Sequence, residues 1–287
     1  MSTSAPPPAP LSPLSPVESA KRQAAYIAVD THFPRPSPLP TTPLLIGIGS
    51  GSTVIYVVER ILQLPSSLLS QCIFIPTGYQ SRELILSGSL PLGDIDLHNH
   101  LHIAFDGADE VDPTLNCIKG GGACLFQEKL VAVKADKFVV VADFRKISSS
   151  LSMAYAAGVP IEVVPQVVSW VAKRLLELGA VNPKLRMGGM AKAGPCVTDN
   201  GNFIIDAPFH DGCVLGKQGE GEGEVVNGKG AKGCGVGDTR TVERLAEEIK
   251  KIVGVVEHGI FCKGNAKAVV AYFGMEDGTV TTRAEEA

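Results

Sequence analysis

Two short runs gather the groups that could do chemistry, Asp106-Gly-Ala-Asp-Glu-Val-Asp112 and Lys119-Gly-Gly-Gly-Ala-Cys-Leu-Phe-Gln-Glu-Lys129. Acids and bases crowded beside glycines cost stability unless they act on a ligand, and the missing side chains open the main chain to one. Asp106 and Asp109 bracket Gly107 and Ala108 directly after an apolar stretch, so a sharp turn presents both carboxylates to one small ligand. Such a pair can hold hydroxyls or pass a proton; a turn whose aspartates only satisfy backbone donors is the competing reading. Glu110 and Asp112 read as solvated or helix-capping. Lys119 precedes Gly120, Gly121 and Gly122, where a substrate can lie against bare backbone. Glu128 falls on an otherwise apolar helix face with Cys124, Leu125, Val131 and Ala132. A carboxylate there has the raised pKa that suits a general base taking a carbon-bound proton. A surface Glu128–Lys129 helix pair is the alternative.

A third stretch, Gly49-Ser-Gly-Ser-Thr53, follows the apolar run Leu44–Ile48 and precedes a helical pattern. Ser50, Gly51, Ser52 and Thr53 suit an anion, because converging backbone amides, hydroxyls and a helix N-terminus all favour negative charge. The run lacks the third glycine of the dinucleotide fingerprint and the closing lysine of a nucleotide P-loop, so a tight turn stays open as an equal alternative.

These stretches need a scaffold. Helices are expected at Glu18–Asp30, Thr53–Leu64, Ser81–Ser87 and Ala123–Lys134, with strands at Leu44–Ile48, Cys72–Ile75, Leu101–Phe105 and Phe138–Ala142. That alternation predicts an α/β Rossmann-like open sheet with ligands at the strand carboxyl ends. Beyond Gly158 the order changes: strand Pro160–Val164, helix Gln166–Leu178, strands Leu185–Met187 and Phe203–Ile205, helix Val242–Ile252 and strand Val255–Phe261. This β-α-β-β-α-β order predicts a smaller ferredoxin-like α+β domain. The expected division is a disordered proline-rich tail over 1–16, a catalytic domain from 17–157 and 262–287, and a small domain over 158–261. Strands Ala268–Phe273 and Thr279–Thr282 complete the first domain. The glycine-rich segment 211–240 is expected to be a mobile surface insertion.

The chain has 287 residues, 45% of them hydrophobic, and a formal net charge of -4, which predicts a soluble globular protein without broad attraction for nucleic acid. No stretch is apolar for the length of a membrane span, and the N-terminus lacks a signal pattern, so a cytoplasmic setting is expected. Seven cysteines without a CxxC pair fit a reducing compartment. His98, His100 and His102 alternate as a metal comb would on a strand, but no fixed carboxylate accompanies them, and no metal is expected. Trp170 and Met187 are expected to pack.

Taken together, the blocks resemble ribose-5-phosphate isomerase of the A type, most closely its fungal branch. The resemblance rests on Gly49-Ser-Gly-Ser-Thr53, Ile75-Pro-Thr-Gly-Tyr-Gln-Ser81, Phe105-Asp-Gly-Ala-Asp-Glu-Val-Asp112, Ile118–Lys129, Val140–Lys146, Gly158–Pro165 and Val197–Asp206 in fixed order. It implies interconversion of ribose 5-phosphate and ribulose 5-phosphate through an enediolate, without cofactor, by a homodimer or higher homo-oligomer. It also implies Glu128 as the base, Asp106, Asp109 and Lys119 as polar substrate-handling groups, and Ser50–Thr53 with Lys21 and Lys146 at the phosphate. Gly107, Ala108, Gly120, Gly121 and Gly122 line the substrate in this reading. An isomerase for another aldose phosphate, or a non-catalytic sugar-phosphate sensor, remains compatible with the same residues.

Overall fold

The computed structural model describes residues 14–209 and 241–285. The glycine-rich segment 211–240, His210 and most of the proline-rich tail therefore lie outside the described residues.

Helix α1 (Pro16–His32) begins inside the expected tail, because Pro16 occupies the first turn and the Ser15 hydroxyl accepts the Glu18 amide hydrogen. Strand β1 (Leu44–Ile48) follows, then α2 (Val54–Ile61), which stops short of the expected Thr53–Leu64, and a one-turn α3 (Ser66–Leu69) that was not expected. Next come β2 (Cys72–Pro76), α4 (Tyr79–Ser87), β3 (Ile103–Asp106), α5 (Leu125–Lys134) and β6 (Phe138–Asp143), with a short hairpin of β4 (Glu110–Val111) and β5 (Cys117–Ile118) before α5. At the far end of the chain, β12 (Val270–Gly274) and β13 (Val280–Ala284) return to the same sheet. Its order is β13-β12-β6-β3-β1-β2, parallel except for β13.

Alternation explains why these strands read as continuous apolar runs. Val139 and Val141 of β6 pack with α1 and α2, while Phe138, Val140 and Ala142 pack with α5 on the other face. Both faces are covered, as a parallel sheet requires. From β1 the chain leaves toward β2, and from β3 it leaves toward β6. The carboxyl ends of β1 and β3 thus flank the topological switch point where such sheets bind ligands.

A second sheet has the order β10-β7-β9-β8, from β7 (Val159–Val163), β8 (Lys184–Leu185), β9 (Phe203–Ala207) and β10 (Val255–His258). All its neighbours are antiparallel, with α6 (Val168–Glu177) and α7 (Val242–Lys250) as the intervening helices, which is the ferredoxin-like arrangement. Trp170 and Met187 are exposed, contrary to expectation: α6 buries the stripe of Val171 and Leu175 and leaves Trp170 outside, and Met187 lies beyond the end of β8.

The expected strand Val255–Phe261 is broken. At Gly259 the chain passes from the second sheet to a third, where β11 (Ile260–Phe261) pairs with β5. A side chain there has no room, since a Cβ would stand 2.2 Å from the Lys119 carbonyl oxygen. The histidine comb is also absent: His98, His100 and His102 all precede β3, and the His102 ring accepts the Leu45 amide hydrogen. Among the described residues no group of three His, Cys, Asp or Glu is placed to hold a metal ion, and no helix is long and apolar enough to cross a membrane.

Glu110 and Asp112 correct the expectation of solvated side chains. Asp112 is buried and closes the β4–β5 turn through the Thr114 and Asn116 amides and the Asn116 side chain. Glu110 is fully buried and accepts hydrogen bonds from the Ser152, Met153, Ala154 and Tyr155 amides at 2.9–3.1 Å. A short polar run gives no periodicity from which to read such burial. Each Glu110 oxygen accepts two of these amides, so Glu110→Gln sets its NH2 against two backbone donors that cannot turn away. It is expected to destabilise the fold by roughly 2–4 kcal/mol, measured by urea denaturation.

Candidate active site

The β4–β5 hairpin sets the first pair of groups. Glu110 lies opposite Ile118 in its register, and the Asp109 amide donates to the Ile118 carbonyl at 2.8 Å, so Asp109 and Lys119 emerge together at the open end. Behind them Asp106 ends β3. Its Oδ1 accepts the Ser50 amide at 3.0 Å and the Gly107 amide at 2.7 Å, tying the loop after β1 to the turn after β3. Gly49 makes this approach possible, because a Cβ there would stand 1.9 Å from Asp106 Oδ1.

Lys119 is buried, and its ammonium reaches three acceptors: the Gly107 carbonyl at 2.7 Å, Glu128 Oε1 at 2.8 Å and Asp106 Oδ2 at 2.9 Å. Glu128 arrives from the first turn of α5. Its surroundings differ from the expected apolar face, since Lys119 holds one carboxylate oxygen directly. The other, Oε2, is buried and has no hydrogen-bond partner among the described residues. Lys129 points elsewhere, donating to the Ile260 carbonyl at 2.5 Å with its amine 4.2 Å from the centre of the Phe261 ring, so the surface pair is excluded. Burial pushes the Asp106 carboxyl up to about 6; the attraction of Lys119 opposes that rise, and repulsion by the Glu128 carboxylate adds to it. Burial also pushes the Asp109 carboxyl up, while the Gly121 amide, 2.8 Å from its Oδ2, pulls the other way.

Asp109, Lys119 and Glu128 face a cavity of about 390 Å³, lined also by Ser50, Gly51, Ser52, Thr53, Gly107, Ala108, Gly121, Gly122 and Lys146 among others. The Ser50–Thr53 loop leads into α2, whose N-terminus has no side-chain cap, so its amides remain available to an anion. Three expected residues are not on the wall. Asp106 stands behind it, Gly120 turns its carbonyl to Arg186 at 3.0 Å, and Lys21 is buried beneath the loop. There the Lys21 amine donates to Ser52 Oγ at 3.0 Å and Glu18 at 2.8 Å.

Other wall residues had no role assigned from sequence. Gln80 accepts the Gly51 amide at 2.8 Å, and Asp199 accepts the Tyr79 amide at 2.7 Å across 120 residues of chain. Cys124 places its thiol 3.3 Å from the Ser50 hydroxyl, with burial pushing its pKa up. Both Gln80 and Asp199 lie in blocks that carried the resemblance, which is the one signal that pointed to them.

Comparison with known proteins agrees with this geometry. The family model for ribose 5-phosphate isomerase A, also called phosphoriboisomerase A, matches residues 73–278. The ribose-5-phosphate isomerase of Candida albicans is 51% identical over 272 residues, covering 94% of this chain and 98% of the relative. That of Schizosaccharomyces pombe is 48% identical over 270 residues, covering 94% and 85%. A solved D-ribose-5-phosphate isomerase in complex with phospho-erythronic acid superposes with a TM-score of 0.73 at 33% identity, covering 93% of this chain and 99% of that one. Ribose 5-phosphate isomerase A from Methanocaldococcus jannaschii gives 0.69 at 31% identity, covering 93% and 99%. The chain belongs to the ribose 5-phosphate isomerase A family.

Proposed function

We propose that this chain interconverts ribose 5-phosphate and ribulose 5-phosphate by moving a proton between C2 and C1 through an enediolate. The observation that carries this reading is the asymmetry of Glu128: Oε1 is held by Lys119, while Oε2 has no partner among the described residues, in a side chain that lines a sugar-sized cavity. Oε2 takes the C2 proton and returns it to C1. Asp109, on the wall with a raised carboxyl, exchanges protons with the sugar oxygens and assists ring opening. As Glu128 takes up a proton its pull on Lys119 weakens, and the ammonium becomes available to the negative charge growing on the enediolate oxygen. Asp106 anchors that ammonium and the loop together.

The phosphate lies on the Ser50–Thr53 loop at the α2 N-terminus, with Lys146 on the wall. Lys21 acts through Ser52 rather than by touching the ligand. The acid–base set is supplied by the chain's own side chains, and the reaction runs without a cofactor in this reading. The chain divides into a catalytic unit of 17–157 and 262–287 and a small unit of 158–261. It works in the cytoplasm as a homodimer or higher homo-oligomer.

Incubation of the purified protein with ribose 5-phosphate is expected to yield ribulose 5-phosphate, with far slower turnover of arabinose and allose phosphates. Binding without turnover would instead establish a sensor. Glu128→Gln is expected to fold and bind substrate but to lose turnover by about three orders of magnitude or more, with solvent hydrogen incorporation lost in parallel. Ser52→Ala and Lys146→Ala are expected to weaken ribose 5-phosphate binding about tenfold while leaving ribose unaffected, by calorimetry at fixed salt. Exhaustive chelation is expected to leave the rate unchanged, with elemental analysis of the active protein as the direct check.

A further inference from the structure

Glu162 is fully buried in the middle of the second sheet, on β7, and belongs to neither the cavity wall nor the acid–base set. Its two carboxylate oxygens serve different elements. Oε2 accepts the Phe126 amide at 3.0 Å, in the first turn of α5. Oε1 accepts the Thr198 hydroxyl at 2.8 Å and the Asn202 side-chain amide at 2.9 Å, with Asn200 at 3.4 Å. Helix α5 has no side-chain cap of its own, so a carboxylate from another sheet satisfies one of its otherwise orphan amides. Glu128 follows Phe126 by two residues on that helix. The loop gathered at Oε1 carries Asp199, whose carboxylate accepts the Tyr79 amide at the cavity rim.

We infer that Glu162 is a positioning residue for the reaction: a single buried carboxylate fixes both the first turn of the helix that presents Glu128 and the loop that carries Asp199 to the cavity wall. No cation pairs with it among the described ion pairs, so its charge is held by neutral donors and the helix terminus. The arrangement works only with an acceptor at both oxygens. An amide in its place has one acceptor oxygen instead of two, so its NH2 faces either the fixed Phe126 N–H or the Thr198 and Asn202 side chains, and the hold on that arm weakens.

This inference rests on Glu128 acting as the base. Displacement of that carboxylate by a fraction of an ångström lowers the rate of proton transfer, whereas phosphate affinity is set on β1 and α2, away from Glu162. Glu162→Gln is therefore expected to lower kcat about tenfold to a hundredfold while KM for ribose 5-phosphate changes by less than about threefold. Amide exchange should accelerate in peptides covering 124–130 and 198–202, and not in the Ser50–Thr53 loop. Glu162→Asp keeps both acceptors but withdraws them by one methylene, and is expected to fall between wild type and Gln; it carries the test if the Gln variant does not fold. Folded variants with wild-type kcat, or with kcat unchanged and KM raised, overturn the positioning role. Absence of turnover by the wild-type protein overturns the functional reading itself, and with it this inference; normal wild-type turnover beside an unaffected Glu162→Gln overturns the positioning role alone.

Discussion

One buried ammonium organises the centre of this protein. Lys119 lies between Asp106 and Glu128, and each of its three hydrogens has an acceptor within 2.9 Å. Burying three charges is costly, and the cost is offset only while the geometry stays close, since a lone carboxylate or amine in the same place would be several kcal/mol less favourable. The surrounding architecture meets that demand from several directions. Strand β3 ends at Asp106, the β4–β5 hairpin brings Lys119 beside Asp109, and α5 delivers Glu128 from the far side of the glycine run. The bare backbone at Gly49 lets the Asp106 carboxylate lie against the loop after β1. Moving any one of these elements separates charges that cannot be left alone.

The second sheet contributes to the cavity through polar tethers. Glu162 reaches α5, Asp199 reaches α4, and the Gly259 carbonyl accepts the Lys119 amide at 2.9 Å where the chain crosses between sheets. Each tether ends on a backbone amide of the segment that presents a wall residue. Backbone amides are the right handles for such a purpose, because their positions follow the element and not a side-chain rotamer.

Much of this was legible in the sequence where local pattern and burial agree. The apolar runs of β1, β3 and β6 are buried on both faces, and the carboxyl ends of β1 and β3 lead directly to Ser50 and Asp106. Lys119 and Asp109 stood out as charged groups beside glycines, and Glu128 as a carboxylate on an otherwise apolar helix face. What stayed hidden depended on contacts made over long separations. Glu110 looked solvated because nothing nearby in the sequence announces four amides from residues 152–155. Gln80 and Asp199 are ordinary polar residues until the fold sets them against Gly51 and Tyr79. The expected strand across Gly259 failed because alternation of side chains is insensitive to a change of partner strand, and the break is imposed by close packing against Lys119 and Pro160.

Arg186 gives the glycine run a polarity. Its guanidinium is paired with Asp206 and also donates to the carbonyls of Gly120 at 3.0 Å and Gly121 at 3.1 Å. In a planar trans peptide the carbonyl and the following N–H point in opposite directions. Fixing those two oxygens on the arginine therefore turns the Gly121 and Gly122 N–H groups away from it. The first of these meets Asp109, as the 2.8 Å contact records, and the second belongs to a residue of the cavity wall. A stretch with no side chains thus has its peptide dipoles aligned by one guanidinium, with carbonyls turned toward the second sheet and N–H groups turned away from it.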